Sequence, residues 1–211
     1  DMVLLHCPPT EVFYRTEVFS WMDDFKRQSK IKHYGVSIET VEEGLQALTY
    51  PGVEAIEVIF NMFRLKPLEE LFSKAKEKGV AIIVRVPLAS GLLTGKLTKD
   101  STFGLKDHRT FNRNGESFDK GETFSGVPYD IGLEAVEQLK KIFPSDQLPL
   151  YALRWILMFD AVSTVIPGAS KPEQILENVK ASYVPPLTQI AMDDVKEIYD
   201  KMIKPHVHHL W

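Results

Sequence analysis

"VSTVIPGASKPEQILEN", residues 162–178, holds an apolar, β-branched run, then Gly168, Ala169, Ser170 and Lys171, then Pro172 opening a helical stretch. Free backbone N–H groups and the helix dipole at such a junction make it a local anion site. The same order of strand and helix recurs along the chain. Strand candidates lie near 2–7, 32–38, 55–63, 80–86 and 162–168, mostly apolar on both faces, as buried parallel strands are. Between them, stripes such as Leu68, Leu71, Phe72 and Ala75, or Leu133, Val136, Leu139 and Phe143, have helical spacing. Alternating strands and helices predict a parallel α/β domain, either an open doubly wound sheet or part of an eight-stranded barrel.

The 211 residues, 44% of them hydrophobic, suffice for one core, and we expect a single domain over 1–211. No apolar run is long enough to cross a membrane, and no segment resembles a secretion signal. The single cysteine, Cys7, fits a reducing compartment, so a cytoplasmic protein is expected, with Cys7 as a small buried apolar residue. A net charge of −4 offers no footprint for nucleic acid. The expected partner is a small molecule, with neither nucleic acid nor membrane involved; composition leaves the oligomeric state open. A polar segment over roughly 96–129 reads as a long loop, and a helix is expected over 188–203, with Val195, Ile198, Tyr199 and Met202 on one stripe.

In both parallel architectures ligands bind at the C-terminal ends of the strands. His6, Ser37, Asn61, Arg85 and the Gly168–Lys171 turn all fall at such ends, one group per strand. Together they outline a site.

"LLHCPP", "GVSIETVEEGLQAL", "RVPLASGLLTGKL", "ALRWIL" and "IPGASKPEQILENV" occur in that order along the whole chain. On these motifs the sequence resembles the aldo/keto reductase family. The resemblance implies a (β/α)8 barrel that binds NADP(H) in extended form and reduces carbonyl compounds. It also implies that residue 1 falls at the fourth barrel strand, so that three strand–helix units are lacking, roughly 90 to 100 residues. Of the family's Asp, Tyr, Lys and His tetrad only the His has a counterpart, His6. Tyr14 and Tyr34 are not assigned the acid's role. Five strands without the other three expose two edges, so a truncated, cleaved or partial polypeptide is expected over a natural half-barrel.

By the same resemblance His6 hydrogen-bonds the substrate carbonyl, while Gly168, Ala169, Ser170 and Lys171 grip the 2′-phosphate of NADPH or NADP+. Gln174 and Asn178 follow one and two turns along the helix. Pro87, Leu88, Ser90 and Leu92 line the pyrophosphate, and Lys96 anchors their loop. The segment after it matches the family's cofactor-covering loop, where Arg109, Phe111, Arg113 and Phe118 face the ligands or form a solvated lid. Ser37, Glu57 and Arg85 fall at the nicotinamide end. Four positions depart from the family's pattern. Ile38 follows Ser37 in place of Asn, Glu57 replaces Gln, Arg85 replaces an aromatic, and Gln174 replaces a common Arg. Glu57, as a carboxylate, accepts hydrogen bonds only, and Gln174 weakens the preference for NADP(H). The charge of Arg85 is expected to repel the oxidised ring and favour NADPH over NADP+. The alternative to a reductase is a non-catalytic, cofactor-binding or regulatory relative, like the family's channel-associated β-subunits, or an inactive fragment.

"HVHH" at 206–209 lacks a Cys or carboxylate at suitable spacing, and no metal site is expected. Asp23, Asp24, Glu42 and Glu43 read as solvated helix faces.

Overall fold

In the computed structural model, which describes residues 1–211, alternation of strand and helix produces one five-stranded sheet. Its strands are β1 (Met2–His6), β2 (His33–Ser37), β3 (Ala55–Ile59), β4 (Ala81–Arg85) and β5 (Val162–Val165), all parallel and in chain order. The helices are α1 (Thr16–Arg27), α2 (Val41–Ala47), α3 (Leu71–Glu77), α4 (His108–Phe111), α5 (Tyr129–Ile142), α6 (Leu148–Ile156), α7 (Pro172–Val179), α8 (Gln189–Ile198) and α9 (Lys204–Val207). β1 and β5 end the sheet, so it is open. No helix is long and apolar enough to cross a membrane.

Strand alternation assigns the faces. Tyr34, Val36, Ile56, Val58, Ile82 and Val84 belong to the core beneath the helices, with Phe60, Phe72 and Trp155 stacked and edge-on around them. The opposite face carries the polar set. Register puts His6 beside Ser37, Ser37 beside Glu57, and Arg85 beside Ile59. Gly35 is on this face too; a Cβ there would lie 2.2 Å from the Ala55 carbonyl oxygen, so only glycine lets β2 and β3 approach as they do. The outer strands depart from the expected pattern of apolar residues on both faces. Met2 and Val3 of β1 and Ser163 and Thr164 of β5 are exposed, because nothing packs beyond a sheet edge.

Several boundaries move. β3 stops at Ile59, not at 63, because Asn61 turns the chain: its Oδ1 accepts from the Phe63 N–H at 2.8 Å, and it bridges to Arg64. β5 stops at Val165; Ile166 still donates to the Val84 carbonyl, but Pro167 has no N–H to continue the ladder. The 96–129 segment is not one polar loop. It contains α4 and short 3₁₀ turns at Lys120–Glu122 and Phe124–Gly126, and it buries Asn112, Thr123, Phe124 and Ser125. The C-terminal helix breaks into α8, a π-turn over Tyr199–Ile203 and α9.

Glu43 is not a solvated helix residue. It is 4% exposed and closes a capping box on α2, accepting the Glu39 and Thr40 N–H groups while its own N–H donates to Thr40 Oγ1. Asp23 accepts the Tyr34 hydroxyl at 2.8 Å. In the tail, His208 is hydrogen-bonded to Tyr199 and Glu69, each at 2.8 Å, and no group of three metal-ligating side chains forms.

Candidate cofactor site at the strand ends

Non-glycine residues in the left-handed region are costly and gather where a site over-determines them. Here Cys7, Val86, Ala89, Ser90, Phe124 and Ser125 all lie at the C-terminal ends of the strands or on segments packed there, and only Ser29 lies elsewhere. Beside them opens a cleft of about 1130 Å³. One wall is the loop after β4, with Pro87, Leu88, Ser90 and Lys96; the opposite wall is the β5–α7 turn, with Gly168, Ala169, Ser170, Gln174 and Asn178. The start of α6 forms the floor, and His108, Arg109, Phe118 and Glu122 close one end. Nine of the expected cofactor residues therefore share one cleft.

The remaining expected residues lie outside its lining. Leu92 is 1% exposed and packs against Gly132 in the core, because the 3₁₀ turn Ala89–Thr94 points it inward. Lys171 is exposed at the N-cap of α7. His6, Ser37, Glu57 and Arg85 lie on the polar face of the sheet.

At the β5–α7 turn three donors converge on one oxygen. The Ser170 N–H, the Lys171 N–H and the Ser170 hydroxyl reach Gln174 Oε1 at 2.7, 3.0 and 3.1 Å. These bonds form the capping box of α7, and their donors are of the kind that can hold a phosphate oxygen at a helix N-terminus. In the present conformation the chain's own amide fills the position. On the opposite wall Ser90 does not face a ligand with a free hydroxyl: it donates to the Glu122 carbonyl at 2.8 Å and accepts from the Phe124 N–H at 3.0 Å. Gly91 and Gly95, at φ +102° and +71°, give this loop turns that a side chain would strain.

The covering segment is tied down. Asn61 Nδ2 donates to the Val86 carbonyl and to Ser125 Oγ, and Asn61 and Ser125 are both fully buried. Arg109 reaches the cleft, but it is held in a bidentate pair by Asp107 and stacked 4.2 Å from the Phe103 ring centre. That guanidinium holds the Asp107 carboxyl down to about 2. Arg113 lies over Tyr129 with its Nε bonded to the Arg109 carbonyl, and Phe111 meets Phe118 edge-on.

The Arg85 guanidinium is engaged on several sides. It is 6% exposed, pairs through Nη1 with Glu122, donates from Nη2 to the Ile38 carbonyl at 3.1 Å, and lies 3.8 Å from Glu57 through Nε. Its charge is more than matched by two carboxylates. Cys7, expected as an inert apolar residue, is half-buried, with its thiol 3.2 Å from Ser37 Oγ and 3.4 Å from Arg85 Nη2; burial pushes that thiol's pKa up. Ser37 is fully buried against it, and His6 is exposed. Glu122 and His108 are the site residues that sequence reasoning missed. No motif marks them, and only docking of the segment brings them to the cleft.

A parallel α/β sheet with a cleft at its strand ends is the arrangement in which small-molecule ligands are commonly held. The comparisons with known proteins narrow this. The sequence profile of the aldo/keto reductase family matches residues 1–200. The chain belongs to the aldo/keto reductase family. It is 25% identical over 185 residues to the NADH-specific methylglyoxal reductase of Escherichia coli, covering 86% of this chain and 53% of that protein. With a probable voltage-gated potassium channel subunit beta of Arabidopsis thaliana it shares 33% identity over 163 residues, 72% of this chain and 44% of the other. The holo form of aldo-keto reductase AKR11C1 from Bacillus halodurans superposes with a TM-score of 0.70 at 24% identity, over 94% of this chain and 60% of that one. The chain therefore spans about half the length of these curated relatives. Members of the family are oxidoreductases that bind nicotinamide cofactors.

Proposed function

We propose that this chain is the cofactor-holding portion of an NADP(H)-dependent reductase of aldehydes or ketones, the C-terminal share of an eight-stranded barrel. The observation that carries the reading is the set of three donors at Ser170 and Lys171 converging on one acceptor position at the edge of a nucleotide-sized cleft. In this reading Gly168 to Lys171 hold the 2′-phosphate, with Gln174 swinging out of the nest. Pro87, Leu88 and the backbone around Gly91 lie along the pyrophosphate, and Asn178 faces the adenosine end. A bound nicotinamide cofactor supplies the hydride. His6, exposed at the end of β1, orients the carbonyl oxygen by a hydrogen bond. Neither tyrosine near the sheet serves as acid: Tyr34 is buried and bonded to Asp23, and Tyr14 is on the 3₁₀ turn Thr10–Tyr14. Turnover therefore needs a proton donor other than these two tyrosines.

The test is a competition. Adenosine 2′,5′-bisphosphate, which carries the anchoring phosphate without the nicotinamide, is expected to displace NADPH from the chain, and 5′-AMP to do so far more weakly. Equal displacement by the two would remove the 2′-phosphate from the reading.

The 33% identity to the Arabidopsis channel subunit favours a second reading, a regulatory protein that holds the cofactor without using it. NADPH binding with no oxidation by any aldehyde, even with a proton donor supplied, would select it.

A further inference from the structure

The end of the cleft closed by Glu122 is acidic in a particular way. Arg85 reaches the polar sheet face there, and two carboxylates flank it, Glu122 on Nη1 and Glu57 at 3.8 Å from Nε. Nε itself has no hydrogen-bond partner, so the geometry falls short of a full pairing with Glu57. The other cation at this end, Arg109, is neutralised by its bidentate pair with Asp107. Arg64, also nearly fully buried, stacks on Trp211 and lies 4.0 Å from Asp119. The trio Glu57, Arg85 and Glu122 thus carries a formal charge of −1 at the strand ends, and Glu122 is the member that also lines the cleft.

We infer that Glu122, held in place by Arg85, sets the redox-state preference of the site, favouring the oxidised, cationic nicotinamide over the reduced, neutral one. The inference rests on the cofactor reading above and on Arg85, the ion-pair partner of Glu122, standing at the nicotinamide end of the site as the family resemblance implies. There the two cofactor forms differ by one unit of charge. A net negative, partly desolvated cluster attracts one and is indifferent to the other. The sign is opposite to what an isolated Arg85 would give. It follows from the second carboxylate, which reaches the arginine only because the 119–126 segment docks on Ser90 and Asn61.

The experiment measures the dissociation constants of NADP+ and NADPH by fluorescence titration at low salt for the wild type, Glu122→Gln, Glu122→Asp and Glu57→Gln. Glu122→Gln is expected to weaken NADP+ roughly tenfold while changing NADPH by less than about twofold. Glu122→Asp keeps the charge and should keep the wild-type ratio. Glu57→Gln removes a charge from the same trio without touching the segment, and should shift the ratio in the same direction as Glu122→Gln; it carries the test if Glu122→Gln does not fold. A ratio unmoved by either neutralisation, or equal weakening of both nucleotides, overturns the inference and leaves the cofactor reading standing. Failure of the wild type to bind either nucleotide overturns both.

Discussion

At the scale of single residues, the proposed 2′-phosphate position turns on Gln174. Its amide oxygen takes three donors that a phosphate would otherwise use, and it brings no positive charge in exchange. Gln174→Arg would free those donors and add a guanidinium. NADPH affinity is expected to rise about tenfold with NADH affinity unchanged, as read by titrating both nucleotides; an equal gain for both would deny a 2′-phosphate at this turn. Asn61 has a different role from that of a rim ligand. Fully buried, it bridges β3, the end of β4 and the covering segment through the Phe63 N–H, the Val86 carbonyl and Ser125 Oγ. Asn61→Ala leaves these groups unpaired and should cost about 2–4 kcal/mol in urea unfolding. A cost below about 0.5 kcal/mol would mean that water replaces the bridge.

At the scale of elements, the segment between β4 and α5 is a packed cover whose short helix α4 is capped by Asp107. Asp107 caps α4 through the Arg109 N–H and pairs with the Arg109 side chain, which holds its carboxyl at about 2 against an ordinary 3.8. A carboxyl whose folded pKa is depressed stabilises above its unfolded pKa, and the contribution is lost as pH falls through the folded value. Hydrogen-exchange protection of residues 107–113 should therefore decline between about pH 4 and pH 2, and Asp107→Asn should remove that decline; persistence of the same pH dependence in Asp107→Asn would place its origin elsewhere. What was legible in the sequence divides along the same lines. The five strands, their order of occurrence and the residues at their ends follow from apolar runs and local turn chemistry, whereas the capping role of Glu43 is hidden behind an acidic pair that reads as a solvated face. The burial of Asn112, Thr123 and Ser125 does not follow, because their partners lie far away in sequence and their types are those of solvated loops. The pairing of Arg85 is hidden for the same reason. Glu122 is 37 residues distant and belongs to no periodic pattern.

At the scale of the whole molecule, exposed apolar side chains flank both sheet edges: Met2 and Val3 with Trp21 and Phe25 on β1 and α1, and Ile166, just past β5, with Ile175, Leu176 and Val179 on α7. Unpaired edges bearing such residues template association. The chain is expected to self-associate with rising concentration, and Val3→Lys to reduce this in sedimentation velocity; an unchanged distribution would exclude the β1 edge as the contact. Met2 and Val3 of the β1 edge are not among the cleft-lining residues, whereas Ile166 is. The first measurement to make is the NADPH titration of the wild-type chain beside Ser170→Asp, which places a carboxylate among the donors that meet at Gln174 Oε1. Saturable binding by the wild type, weakened tenfold or more in Ser170→Asp, roughly the effect of one opposed charge at a phosphate, is the result that the cleft and its nest predict. No saturable binding, or binding indifferent to Ser170→Asp, would contradict a cofactor phosphate held at the start of α7.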